Sequence, residues 1–154
     1  MLLSGTESVR LRQTAQNWRE AVRAAGSLLV ASGGVLPAYV EEMEKMVVRF
    51  GPYVVISKGL AIPHASPGYL VCHTCVSVVT LCTPVYFGNR ENDPVDVLIG
   101  FAAIDFDHHM SVLARIARIL LEHEGLYRIR NARSESCVTA LFVAAEGAER
   151  CCGR

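Results

Sequence analysis

Between Asn17 and Gly51 apolar residues recur at three- and four-residue intervals, from residue 53 to 104 they gather into short β-branched runs, and beyond Asp105 the helical interval returns. Asn17 and Glu20 have capping-box spacing, and Trp18, Val22, Ala25 and Leu29 fall on one face while Arg19, Glu20 and Arg23 point away, predicting an amphipathic helix ended by Gly33-Gly34. A second helix opens at Pro37, turns Val40, Met43, Val47 and Phe50 inward, carries acids early and Lys45 and Arg49 late, and stops before Gly51. Gly, Pro and Asn clusters delimit strands at residues 54–57, 74–83 and 95–104, all after the helix pair. Two more helices follow, one on Val112, Leu113, Ile116 and Leu120, the other after Ser134 on Val138, Leu141 and Phe142. Helices before and after a central group of strands predict an α/β layered fold. With no internal repeat, low-complexity tract or linker, residues 1–154 are expected to form one domain with its core at about 14–147 and a frayed tail from Cys151.

Composition narrows the function classes. Hydrophobic residues are 51% and charged residues 19% of the 154, enough apolar material to fill a packed interior. Fifteen basic and fifteen acidic residues cancel, which removes the electrostatic footprint of a nucleic-acid or anionic-membrane binder. The first twelve residues are polar and charged where a secretory signal needs an apolar run, so a cytoplasmic protein is expected. The uncharged stretch at residues 68–89 contains Pro84, His73 and several Thr and Ser, and suits a buried strand rather than a membrane span. Six cysteines are then expected to be thiols. Cys72 and Cys75 form a CxxC without a second pair, and residues three apart on a strand face opposite ways, which argues against zinc or redox use.

Five histidines remain as candidates for chemistry, and their positions separate them. His64 sits in Gly59-Leu60-Ala61-Ile62-Pro63-His64-Ala65-Ser66-Pro67-Gly68, where Pro63 forces Ile62 extended and a second Pro-Gly closes the loop. Such a stiffened strand end suits a nucleophile that two proteins reach in turn, although spacing alone leaves an ordinary loop histidine equally open. His109 lies three and four residues before Val112 and Leu113, on the inward face of the first turn of a helix, where free N–H groups and partial positive charge suit a phosphoryl oxygen. A capping or core histidine is the other reading of that position. His108 falls nearer the solvated side, His73 reads as structural, and His123 between Glu122 and Glu124 as a surface helix-end residue. Asp105, Asp107, His108 and His109 are potential metal ligands, but their spacing is not that of a helical zinc site, so no metal or cofactor is expected. Phosphoryl exchange between imidazoles relies on a neutral nucleophile and on positioning, and needs no metal.

The segment from Gly59 to Ala65 resembles the phosphorylation-site motif of the mannitol/fructose-type IIA domains of the bacterial sugar phosphotransferase system (PTS), and the segment from His109 to Leu120 resembles their second signature. The stretches Gly51-Pro52-Tyr53-Val54-Val55-Ile56 and Asn92-Asp93-Pro94-Val95-Asp96-Val97-Leu98-Ile99 are similar to the ascorbate-specific branch. The resemblance covers about residues 18–140. It implies a mixed β-sheet flanked by helices on both faces, with His64 as phosphoacceptor and His109 assisting the phosphoryl group. The partners it implies are a histidine phosphocarrier protein upstream and a cysteine-phosphorylated IIB component of a sugar transporter downstream; a homodimer is left open. Relatives carry a phosphate-contacting arginine before the site strand, a role that falls on Arg49. They often carry a basic residue after the active histidine, where this chain has Ala65-Ser66, leaving the Ser66 hydroxyl as a donor. The alternatives are a nitrogen-type regulatory IIA-like domain and a metal-dependent hydrolase built on Asp105, Asp107, His108 and His109.

Overall fold

The computed structural model describes residues 2–122 and 124–151, with side chains to residue 147. The expectations for His123 and for residues 152–154 fall outside that set. The elements run β1 (Val9–Gln13), α1 (Trp18–Ala31), α2 (Ala38–Phe50), β2 (Val55–Ser57), β3 (Leu60–Ala61), β4 (Cys75–Val85), β5 (Val95–Ala102), α3 (Phe106–Leu121), α4 (Gly125–Arg130) and α5 (Glu135–Cys151). One five-stranded sheet has the order β1-β4-β5-β3-β2. β4 and β5 pair antiparallel, as do β2 and β3, while β1 joins β4 and β3 joins β5 in parallel. The sheet is therefore mixed, with helices on both faces, as the family resemblance implies and in keeping with the α/β layers that the sequence pattern predicts.

Strand alternation divides the interior in two. Val79, Leu98 and Ala102 face α1 and α2, where Val22, Leu29, Met43 and Val47 are buried. Val78, Val97, Ile99 and Phe101 face the other way, onto Val112 and Ile116 of α3, Ile129 of α4, and Val138 and Phe142 of α5. Each such side chain withdrawn from water contributes about 1.5–3 kcal/mol before the entropy cost of ordering it.

Local chemistry fixes the helix ends. The Asn17 side chain accepts the Glu20 N–H at 3.0 Å, and Asp105 accepts the His108 N–H at 2.8 Å. α2 stops at Gly51, whose φ of 79° favours glycine. Glu44 is buried, and both Arg19 and Arg23 of α1 bind its carboxylate, so these two arginines join the helix pair instead of pointing free into solvent.

Three expectations change. The helix pair does not come first: β1 precedes it, and Leu2 and Leu3 are in the core, so the packed structure starts well before residue 14. Phe50 faces out with 56% exposure, and Tyr39, at 1%, takes the buried aromatic position of α2. Cys72 lies ahead of β4 and is exposed while Cys75 is buried, and His73 is exposed, not structural. Among the described residues no helix is long and apolar enough to cross a membrane.

Candidate active site

β3 lies beside β5 and hands the chain to Ile62 and Pro63, both buried, so that His64 emerges where the parallel pairing ends. His64 forms one last bridge with Phe101, and the Phe101 N–H donates to the Pro63 carbonyl at 3.3 Å. The half-buried imidazole stacks on the Phe101 ring, with centroids 4.7 Å apart and planes inclined by 24°. Its Nδ1 is 2.8 Å from the Ile62 carbonyl oxygen. A carbonyl only accepts, so Nδ1 carries the hydrogen and the neutral ring presents the lone pair of Nε2 as its nucleophile.

His109 reaches the same place from α3. Asp105 caps that helix, the His109 N–H donates to the Asp105 carbonyl at 2.9 Å, and the His109 ring stands edge-on to His64 at 5.2 Å and to Phe101 at 5.0 Å. Its Nδ1 is buried without a hydrogen-bond partner. Such a nitrogen is costly unless a ligand supplies the missing bond. Burial is the largest effect on both rings and pulls both pKa values below the ordinary imidazole value; for His64 the Ile62 bond opposes this and nearby His109 adds to it. Both shifts favour the neutral form of the rings.

The remaining candidates have contacts or exposure of their own. The Arg49 guanidinium covers the Phe50 ring at 5.2 Å, Phe50 abuts Tyr53 at 6.2 Å, and Tyr53 abuts His64 at 6.3 Å, so a chain of two aromatic rings runs from Arg49 to the imidazole. Ser66 is exposed two residues past His64. Asp105 accepts from the His108 ring at 2.7 Å, which occupies both in capping α3. Among the described residues no three His, Cys, Asp or Glu side chains gather as metal ligands.

A cleft of about 380 Å³ opens beside His64, lined by Tyr53, Ile56, Ile62, Leu113 and Leu120. A roomier cleft, about 980 Å³, lies elsewhere, between α1 and α2. Of its carboxylates Glu41, Glu42 and Glu44, the second is paired to Lys45 and the third to the two arginines, and neither an imidazole nor a thiol lines it. Sequence reasoning missed Phe101 and Tyr39. Strand parity puts Phe101 on the α3 face, but nothing in the pattern joins Tyr39 of α2 to the His64 loop.

Comparison with known proteins agrees with this architecture. Residues 3–144 match the family profile of the phosphoenolpyruvate-dependent sugar phosphotransferase system, EIIA 2. The ascorbate-specific PTS system EIIA component of Escherichia coli strain K12 is 41% identical over 141 residues, 91% of this chain and 92% of that protein. The solution structure of the mannitol-specific cryptic phosphotransferase enzyme IIA CmtB from Escherichia coli superposes with a TM-score of 0.80 at 27% identity, covering 92% of this chain and 95% of that one. Enzyme IIA of mannitol in complex with phosphorylated enzyme IIB, also from Escherichia coli, gives a TM-score of 0.79 at 27% identity, over 91% and 96% of the two chains. A matched length of this extent, on a sheet of the same architecture, makes the chain a phosphotransferase that belongs to the sugar phosphotransferase system EIIA 2 family.

Proposed function

We propose that His64 is the phosphoacceptor, that it takes a phosphoryl group from a histidine phosphocarrier protein in the cytoplasm, and that it passes the group to a cysteine of a IIB component in an ascorbate-type transporter. The observation that carries this reading is the Nδ1–H bond to the Ile62 carbonyl, which leaves Nε2 unprotonated beside a second neutral imidazole. Nε2 attacks phosphorus in line as the donor's N–P bond breaks; an incoming thiolate then forms the S–P bond as the N–P bond to His64 breaks, returning a neutral ring. His109 donates to the phosphoryl oxygens, and Arg49 and Ser66 are further candidate phosphate ligands.

Partner choice follows from the rim. Phe50, Tyr53, Ile56, Phe106 and Met110 are each more than 45% exposed, an apolar surface around a transferable group that suits transient protein docking. The ascorbate assignment rests on the 41% identity to a protein of that specificity, and the IIB partner on the complex formed by the mannitol relative. Incubation with labelled phosphocarrier should place one acid-labile phosphoryl group on His64, and its release should follow addition of an ascorbate-type IIB. Label persisting in His64→Ala defeats the reading.

A further inference from the structure

In a regular parallel ladder, the bridge between His64 and Phe101 would send the Phe101 N–H to the Pro63 carbonyl and the Ala65 N–H to the Phe101 carbonyl. The first bond is present at 3.3 Å. At the second position stands a side chain: the Tyr39 hydroxyl accepts the Ala65 N–H at 3.0 Å and lies 3.0 Å from the Phe101 carbonyl oxygen and 3.2 Å from that of Ala65. A phenol has one hydrogen, and the shorter contact makes Phe101 its acceptor. Tyr39 comes from the start of α2, is 1% exposed, and crosses beneath the sheet end to arrive there.

We propose that the Tyr39 hydroxyl is a positioning group for phosphoryl transfer, a relay inserted into the ladder between Ala65 and Phe101 that fixes where the His64 ring stands relative to His109. This rests on His64 being the phosphoacceptor. The two residues that the hydroxyl joins are the immediate neighbour of the nucleophile and the residue on whose ring the nucleophile stacks. The same geometry commits the Ala65 N–H, which is therefore not a donor to phosphoryl oxygens. Burial raises the Tyr39 pKa, chiefly by desolvation, so the phenol stays protonated and able to accept and donate at once.

Removing the hydroxyl forces a choice between a buried Ala65 N–H with no partner and a ladder that closes on Phe101. Either outcome moves the His64 backbone and its stacking surface together. Displacements of about 1 Å at a reacting atom cost up to roughly 100-fold in rate. Tyr39→Phe should therefore slow transfer at saturating partner by about 10- to 100-fold, both into and out of the protein, with KM for either partner within about twofold of wild type.

Rates are taken per folded molecule, from single-turnover transfer of labelled phosphate with the folded fraction measured by circular dichroism. ¹⁵N-imidazole NMR on the same variant should show a reduced share of the Nδ1–H form of His64, a change that lost stability alone does not produce. A rate per folded molecule within about twofold of wild type overturns the proposal. Wild-type protein that carries its label elsewhere than His64 overturns instead the reading on which it rests. Amide exchange in the wild type provides a test independent of the variant: Ala65 should exchange as slowly as Phe101, and rapid exchange at Ala65 defeats the relay.

Discussion

Gly59 tests how the segment leading to His64 is anchored. Its φ of 77° lies in the left-handed region, and a Cβ placed there would stand 2.5 Å from Arg130 Nη2 and 2.7 Å from Asp96 Oδ1. Those two side chains form a bidentate pair, Nε to Oδ2 at 2.7 Å and Nη2 to Oδ1 at 2.9 Å, so a methyl group at 59 must part them. Gly59 also donates to the Asn92 carbonyl and accepts from Asp96 and Val97, so its backbone cannot swing away without releasing three backbone hydrogen bonds. In Gly59→Ala the left-handed conformation costs about 1–2 kcal/mol, the stiffer unfolded chain returns about 0.4–1, and loss of the part-exposed pair costs about 1. The sum is about 1–2.6 kcal/mol, or a fall in melting temperature of roughly 2–10 °C at this chain length. In an Arg130→Met background the pair is already gone, and the same substitution should cost only the backbone part, about 0–1.6 kcal/mol and about 1 kcal/mol less than in the wild type. Urea unfolding of the four proteins closes the cycle. Equal costs in the two backgrounds would refute the clash, and no cost in either would refute the strained backbone as well.

Three further outcomes follow from the same geometry. His109→Asn should keep the fold and lower phosphoryl transfer by about 100-fold, the scale for losing one preorganised donor, as read by single-turnover labelling; an unchanged rate removes its role. Because both active-site pKa values are depressed, phosphorylation of His64 should persist below the pH at which a free imidazole is half protonated. By the same sign the stability contributed by the two neutral rings is complete above the unfolded value of about 6.5 and is lost as pH falls through the folded values, which pH-dependent unfolding and a pH–rate profile would show. Asn17→Ala should remove the cap of α1 for about 1 kcal/mol and leave transfer per folded molecule unaltered, as measured by thermal unfolding beside a labelling assay.

The four longer helices and the two long strands were legible because each has an uninterrupted period and a chemical end: Asn17, Gly51 and Asp105 mark boundaries that the structure keeps to within a residue. What failed was short or edge-like. β1 alternates Val9 and Leu11 with arginines, a half-exposed edge pattern that polarity disguised, and β3 spans two residues, too few to show any period. Phe50 fits the helical period of α2 but falls in its last turn, past the edge of the sheet, where the ring meets Tyr53 and Arg49 instead of the core. The two histidines were singled out by loop rigidity and helix position, yet their meeting depends on the pairing of β3 with β5. Arg49 shows the opposite limit: its place near the end of α2 was read correctly, but direction is set by packing, and its guanidinium rests on Phe50.

The identity of the group that holds Nδ1 of His64 explains much of the chemistry available to the site. A carboxylate there would orient the ring equally well, but its charge would stabilise imidazolium, raise the pKa, and, with His64 in its proposed role, repel the phosphoryl oxygens approaching Nε2. The Ile62 carbonyl gives the same orientation with only a dipole, and desolvation prevails over its tendency to raise the pKa. Of the carboxylates that precede His109, Asp105 is held by the His108 N–H and ring at the helix cap. A nucleophile kept neutral and oriented by backbone can accept a dianionic group and release it again. Replacing that carbonyl's role with a charge would favour general-base chemistry over carriage.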